Sequence, residues 1–121
     1  MEHNELGKKG EEMAVEYLKS KGHLIVETNW RFHHLELDII SIQGREIIFT
    51  EVKTRSSKRY ELPYQAVTEN KMKKIVIAAD SYIKQFNIQL EPRFDIISII
   101  IDKDINELDH IPDAFYPPLL R

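Results

Sequence analysis

The 121-residue sequence has no cysteine, which removes disulfide frameworks, thiolate metal sites and cysteine nucleophiles together. It also lacks any stretch approaching the ~20 consecutive apolar residues that span a bilayer. Met1 to Gly10 is too polar and charged to read as a secretory signal. Nor is there an excess of positive charge: 17 Lys and Arg against 20 Asp and Glu leave a net −3, unlike most nucleic-acid binders. Repeats and low-complexity tracts are missing too. These absences imply a single domain over 1–121, cytoplasmic and without membrane association. A 42% hydrophobic fraction is enough for one core.

What is present has a clear order. Leu6, Met13, Ala14, Tyr17 and Leu18 recur on one side of a helical wheel and predict a helix over 5–21, capped by Asn4 and stopped by Gly22. His-Leu-Ile-Val-Glu-Thr (23–28) reads as a strand. Two more follow over 36–42 and 46–54, divided by the turn signal Gln43-Gly44. Pro63 suits the first turn of a second helix, whose apolar stripe carries Val67, Ile75, Ala78, Ala79, Tyr82 and Phe86. The nearly continuous apolar run 94–101 predicts a strand covered on both faces. Residues 111–121, with three prolines, read as an extended C-terminal tail on the surface. The resulting α/β order, α-β-β-β-α-β, implies a mixed central sheet flanked by helices.

The chemistry concentrates in Glu36-Leu-Asp38 and Phe49-Thr-Glu51-Val-Lys53-Thr-Arg55. Strand side chains alternate, so Glu51 and Lys53 project from one face. A Glu-x-Lys triplet alone is usually a structural ion pair; Asp38 alters the balance. A two-residue loop at Gln43-Gly44 would set Asp38 opposite Phe49 and diagonal to Glu51, with Cα atoms roughly 7–8 Å apart. Two inward carboxylates at that separation can hold one divalent ion. Hard oxygen ligands favour Mg²⁺ or Mn²⁺. Lys53 would then orient water or offset charge developing on phosphate.

Lys53, Arg55, Lys58, Arg59, Lys71, Lys73 and Lys74 face only Glu61 and Glu69 within 53–74, a local +5 in an acidic chain. Charge runs are commonly solvated surface, but this one follows the carboxylate motif directly. Arg55, Lys58, Arg59, Lys71 and Lys74 are therefore the candidate nucleic-acid contacts. Lys71 stands out because the wheel puts it inside the apolar stripe of the second helix. There its ammonium needs an acid or a ligand.

Asp38 followed by Glu51-x-Lys53 on the next strand resembles the PD-(D/E)XK signature of restriction endonucleases and Holliday-junction resolvases. More narrowly, the chain resembles the YraN-like family of small bacterial proteins with an endonuclease-like fold. The matching segments are Gly7-Lys-Lys-Gly10-Glu11, Glu36-Leu-Asp38, Phe49 to Arg55, Ala66-Val67 with Lys71, and Arg93-Phe94-Asp95. One departure is Leu35, where such sequences usually carry glycine. The resemblance implies a restriction endonuclease-like core. It also adds Glu11, from the first helix, to Asp38 and Glu51 as a metal ligand, with Lys53 completing the catalytic set. The helical wheel places Glu11 at the margin of the apolar stripe, while an acid in a first turn is also favoured by the helix dipole alone.

Glu36 and Gln65 are auxiliary candidates: Glu36 shares a face with Asp38, and Gln65 opens the second helix. His33-His34 reads as a polar loop, and Asp95 as a structural partner for a basic residue. The leading expectation is a Mg²⁺-dependent nuclease acting on DNA, branched or processed. The alternatives are a binding module that keeps the nuclease fold without cutting, and an RNA-directed nuclease. A homodimer would double a basic strip that is short in one copy.

Overall fold

The structure is a computed structural model in which residues 3–56, 67–103 and 105–116 are described. Helix α1 (His3–Ser20) leads into β1 (Leu24–Phe32), β2 (Leu35–Gln43) and β3 (Glu46–Arg55), followed by α2 (Glu69–Gln85), β4 (Glu91–Asp102) and β5 (Ile105–Phe115). The strands form one sheet in the order β1-β2-β3-β4-β5. β1, β2 and β3 pair antiparallel, β3 and β4 parallel, and β4 and β5 antiparallel. The parallel pair needs a crossover, and α2 lies within it. This is the expected mixed α/β arrangement, consistent with a restriction endonuclease-like α-β-β-β-α-β core.

Each helix covers one face. Leu6, Ala14 and Leu18 of α1 pack on Ile39, Ile97, Ile99 and Ile101. Ile75, Ala78, Ala79 and Tyr82 of α2 pack on Ile40, Ile47, Phe49, Phe94 and Ile96. The inner strand β4 feeds both clusters, through Ile96 on one side and Ile97 and Ile99 on the other. Its nearly continuous apolar run, broken only by Asp95 and Ser98 between Phe94 and Ile101, is what a strand buried on both faces requires. Among the described residues, no helix is long and apolar enough to cross a membrane.

Asn4 does not cap α1 but lies inside it, since the helix starts at His3; beyond such shifts of element ends, the structure departs from the sequence expectations at three places. Residues 111–115 are not a surface tail but the end of β5, which pairs with β4 from Asp102↔Ile105 to Phe94↔Phe115. Pro112 is tolerated because β5 is an edge strand, where a missing N–H breaks no inner ladder. β5 is also tied down by side chains: buried Asp95 accepts from the Asp113 N–H at 3.0 Å and contacts His110 Nε2 at 2.7 Å.

The second departure is α2, which starts at Glu69 rather than near Pro63. Thr68 is its N-cap, and its hydroxyl accepts the Lys71 N–H at 3.2 Å, an end signal of ordinary strength. Pro63 itself lies outside the described residues. The third departure is the β2–β3 turn. The loop residues are Gly44 and Arg45, not Gln43 and Gly44, since Gln43 pairs with Glu46. Gly44, at φ 59°, takes the first loop position, as in a type II′ turn. The loop stays even-numbered, so the faces are as expected, but the register advances by a two-residue step.

Candidate active site

That step decides how the carboxylates meet. The β2–β3 ladder runs from Gln43↔Glu46 to Ile39↔Thr50, and the next residues along it are Asp38 and Glu51. They meet head on instead of diagonally. Beyond Thr50 the link between the strands is made by a side chain: the Val52 N–H donates to Asp38 Oδ2 at 2.9 Å. Glu51 keeps step with Ile47 and Phe49 and belongs to the α2 side of the sheet, while Asp38 meets both Glu51 and, from α1, Glu11.

Glu11 arrives from the other helix. A Cβ on Gly10 would overlap the Thr54 hydroxyl. Glycine at that position is what lets α1 lie against the end of β3. Oxygens of Glu11, Glu36 and Asp38 all lie within 4.8 Å of one another. Glu36, an auxiliary candidate in the sequence, is thus part of the cluster, while Arg31 Nη2 lies 3.2 Å from its Oε2.

The electrostatics are one-sided. Burial, then the charge of Glu51 and the hydrogen bond between the two groups, push Asp38 up to about 8, against the Val52 N–H and Lys71. Glu51 is raised chiefly by burial, with Asp38 donating to it and Lys71 opposing the rise. Glu11 is raised by burial and by Asp38, opposed by a hydrogen bond from Asn29. The single cation reaching the pair among the described residues is Lys71, with Nζ 3.7 Å from Glu51 Oε2. Carboxylates held together without compensation retain a proton, or they take a cation.

The remaining candidates divide by position. Lys71 sits in the first turn of α2, not two turns in, and reaches Glu51 as its place in the apolar stripe suggested. Lys53 is exposed and makes no ion pair among the described residues. Lys74 is exposed one turn beyond Lys71. Arg55 is half-buried, with Nη2 3.4 Å from Ser98 Oγ on the neighbouring strand, so part of its guanidinium is used inside the fold. Lys58, Arg59 and Gln65 lie outside the described residues.

Sequence reasoning missed Asn29. It stands in β1 with φ 53°, a conformation asparagine tolerates better than most residues, and its side chain holds Glu11. The sequence strand ends at Thr28, one residue short of it, whereas β1 runs on to Phe32. Asp95 has the structural role expected of it. It takes two hydrogen bonds from Arg93, at 2.9 and 2.8 Å, besides those from β5.

Fold and cluster together define an α/β protein with an endonuclease-like core and a carboxylate site at the open end of the β2–β3 ladder. The chain belongs to the uncharacterised protein family UPF0102, whose model matches residues 10–99. It is 50% identical over 118 residues to a UPF0102 protein of Bacteroides thetaiotaomicron, covering 98% of both chains. A UPF0102 protein of Bacteroides fragilis matches to the same extent. One from Flavobacterium psychrophilum is 42% identical over 115 residues, covering 95% of this chain and 97% of its own. The matched region contains Glu11, Glu36, Asp38, Glu51, Lys53 and Lys71.

Proposed function

We propose that this protein is a divalent-metal-dependent phosphodiesterase of the PD-(D/E)XK kind, cutting DNA, with branched or processed DNA as its substrate. The observation that carries this reading is the cluster itself. Glu11, Glu36 and Asp38 converge within 4.8 Å and Glu51 is bonded to Asp38, all partly withdrawn from water. Uncompensated carboxylates at that density are costly unless a cation joins them.

The donor set fits the ion. It is all oxygen, without thiolate or histidine among the converging groups, as Mg²⁺ and Mn²⁺ prefer. Asp38, Glu51 and Glu11 would hold it, with Glu36 beside them. When bound, such an ion lowers the pKa of a coordinated water and offsets charge on a phosphate oxygen. The chain's own residues do the rest. The Val52 N–H fixes the Asp38 carboxylate, and Asn29 fixes Glu11. Lys53, two residues from Glu51 on β3, would orient water or steady the phosphate. Lys71 neutralises Glu51 in the resting protein and is free to turn to a phosphate once a cation takes over that duty.

A cytoplasmic setting and a homodimer belong to the same reading, the dimer because it would double the phosphate contacts of a small acidic chain. The test is cleavage of duplex, forked, four-way and single-stranded DNA, and of RNA, with Mg²⁺ or Mn²⁺. Calorimetric Mn²⁺ titration of the wild type, Asp38→Asn and Glu51→Gln accompanies it. We expect cleavage of a DNA substrate by the wild type, and loss of both metal binding and cleavage in the two variants. Preferred cutting of RNA would reassign the substrate. Nucleic-acid binding without cutting or metal uptake would make the protein a binding module on a nuclease fold.

A further inference from the structure

The carboxylate cluster lies between two clefts of opposite character. On the α1 side a groove of about 560 Å³ is lined by Glu11, Glu12 and Glu16 with Lys8, Thr28 and Asn29. Three acids against one lysine make it hostile to a polyanion. On the α2 side a smaller cleft of about 150 Å³ lies between the β1–β2 turn and the first turns of α2. It is lined by His34, Leu35, Glu36, Lys71, Lys74 and Ile75. Glu11 walls the first cleft and Glu36 the second, and their carboxylates meet at the cluster.

We propose that the small cleft is a phosphate subsite, in which His34 and Lys74, with Lys71 at the inner edge, hold a nucleic-acid phosphate flanking the one at the cluster. This rests on the nuclease reading above and adds the direction in which the strand leaves the site. Four observations carry it. The cleft admits a phosphate group and has no room for a base pair. Its charges are two lysines against Glu36, whose charge is already shared with Arg31 at 3.2 Å, and His34 adds an imidazole able to hydrogen-bond a phosphate oxygen. His34 and Lys74 are exposed and have no hydrogen bond or ion pair among the described residues, so binding would break no existing contact of theirs. Lys71 and Lys74 project from the first two turns of α2, where the helix dipole favours an anion.

The turn that carries His34 is itself built to present it. Phe32 pairs with Leu35, leaving His33 and His34 as a two-residue loop, with His33 at φ 57° and its ring 4.4 Å from that of Phe32. His33 is thus turned onto the strand while His34 faces the cleft.

The test is binding of a short fluorescent single-stranded DNA, with either a 5′-hydroxyl or a 5′-phosphate, followed by anisotropy in EDTA over a range of NaCl. Lys74→Met should flatten the slope of log affinity against log salt by about 0.7, one single-strand phosphate contact. His34→Ala should weaken binding about two- to tenfold, one hydrogen bond's worth. Lys84→Met, at the far end of α2 and paired with Asp80 at 2.9 Å, should change neither. A loss confined to the 5′-phosphorylated strand assigns a terminal phosphate to the cleft; an equal loss on both strands assigns an internal one. An unchanged slope in Lys74→Met, or an unchanged affinity in His34→Ala, overturns the subsite. Because EDTA removes metal, the outcome is independent of cleavage. A wild type that never cuts would sink the nuclease reading and leave these binding losses to be judged separately.

Discussion

Asp38 and Asp95 are two aspartates that the sheet withdraws from water, one on β2 and one on β4, and their surroundings treat the same group in opposite ways. Burial alone would raise both. Around Asp95 the hydrogen bonds from His110, Arg93 and the Asp113 N–H, with the Arg93 charge, outweigh burial and hold the carboxyl down at about 2. Around Asp38 the neighbours are Glu51, Glu36 and Glu11, and the carboxyl is pushed up to about 8. The fold can evidently compensate a buried carboxylate, since it does so completely on β4. Where it leaves one uncompensated, beside three more acids, stability is not the reason. Asp95 holds elements together: Arg93 also bonds Glu46 at 2.9 Å, and His110 Nδ1 contacts the Tyr17 hydroxyl at 3.1 Å, linking β3, β4, β5 and α1.

The comparison breaks most easily at Asp95. Asp95→Asn should destabilise the protein by about 3–5 kcal/mol, because it leaves the Arg93 guanidinium without its buried partner. Urea unfolding followed by circular dichroism measures this. A cost under about 1 kcal/mol would mean that the Arg93–Asp95–His110 network is not a fastening at all.

A smaller effect of the same group is set by pH. Asp95 ionises at about 2 in the folded protein and near 3.9 in an unfolded chain. Above about pH 5 it is charged in both states, and its full contribution, on the order of 2 kcal/mol, is present. As pH falls from about 4 towards 2 the unfolded chain takes up the proton first, so that contribution is lost. Stability measured against pH should therefore fall through this window in the wild type. In Asp95→Asn the fall should be shallower.

The two aspartates also differ in how far they could be read beforehand. Asp38 was legible because turn chemistry and strand alternation are local: any even loop near Gly44 puts it on the face of Glu51. The register was misjudged because Gln43-Gly44 and Gly44-Arg45 are both acceptable two-residue loops, and the choice between them depends on Gln43 pairing with Glu46. Asp95 was legible as a structural group, with Arg93 two residues away on the same strand face. Its partner His110 was not, because β5 carries Pro112 and has too weak an alternation to announce a strand. Pro63 suits a first turn by its fixed φ, which draws the sequence reading of the helix start away from the Thr68 cap that opens it in the structure. Asn29 could not be found by periodicity, since a left-handed residue interrupts the alternation that reveals a strand.

At Asp38 the sign of the mutational effect should reverse. Asp38→Asn removes one of two carboxyls that compete for a proton, and should raise stability by on the order of 1 kcal/mol, even though it would remove a ligand of the proposed metal site. The Val52 N–H keeps an acceptor in the amide oxygen, so the open end of the ladder is preserved. Thermal unfolding near neutral pH, without divalent ions, gives the comparison directly against Asp95→Asn. A loss of stability as large as that at Asp95 would mean that both aspartates are structural.

The smallest effect on the fold, and the most discriminating, belongs to Lys71. Asp95 has two basic side chains against it, whereas among the described residues Lys71 alone reaches the Asp38–Glu51 pair, at 3.7 Å from Glu51 and with its own side chain 44% exposed. A half-solvated pair at that distance contributes little, so Lys71→Met, which keeps the aliphatic stem, should change stability by less than about 0.5 kcal/mol. If Lys71 serves the site, binding to single-stranded DNA should instead lose about 0.7 from its salt dependence, one phosphate contact. Mn²⁺ affinity should hold or rise, since a competing cation has gone from Glu51. The reverse pattern, a marked loss of stability with DNA and Mn²⁺ binding intact, would put Lys71 with Arg93. It would then be a cation that the fold needs for itself, and the open end of β2 and β3 would be no more of a site than the closed network on β4.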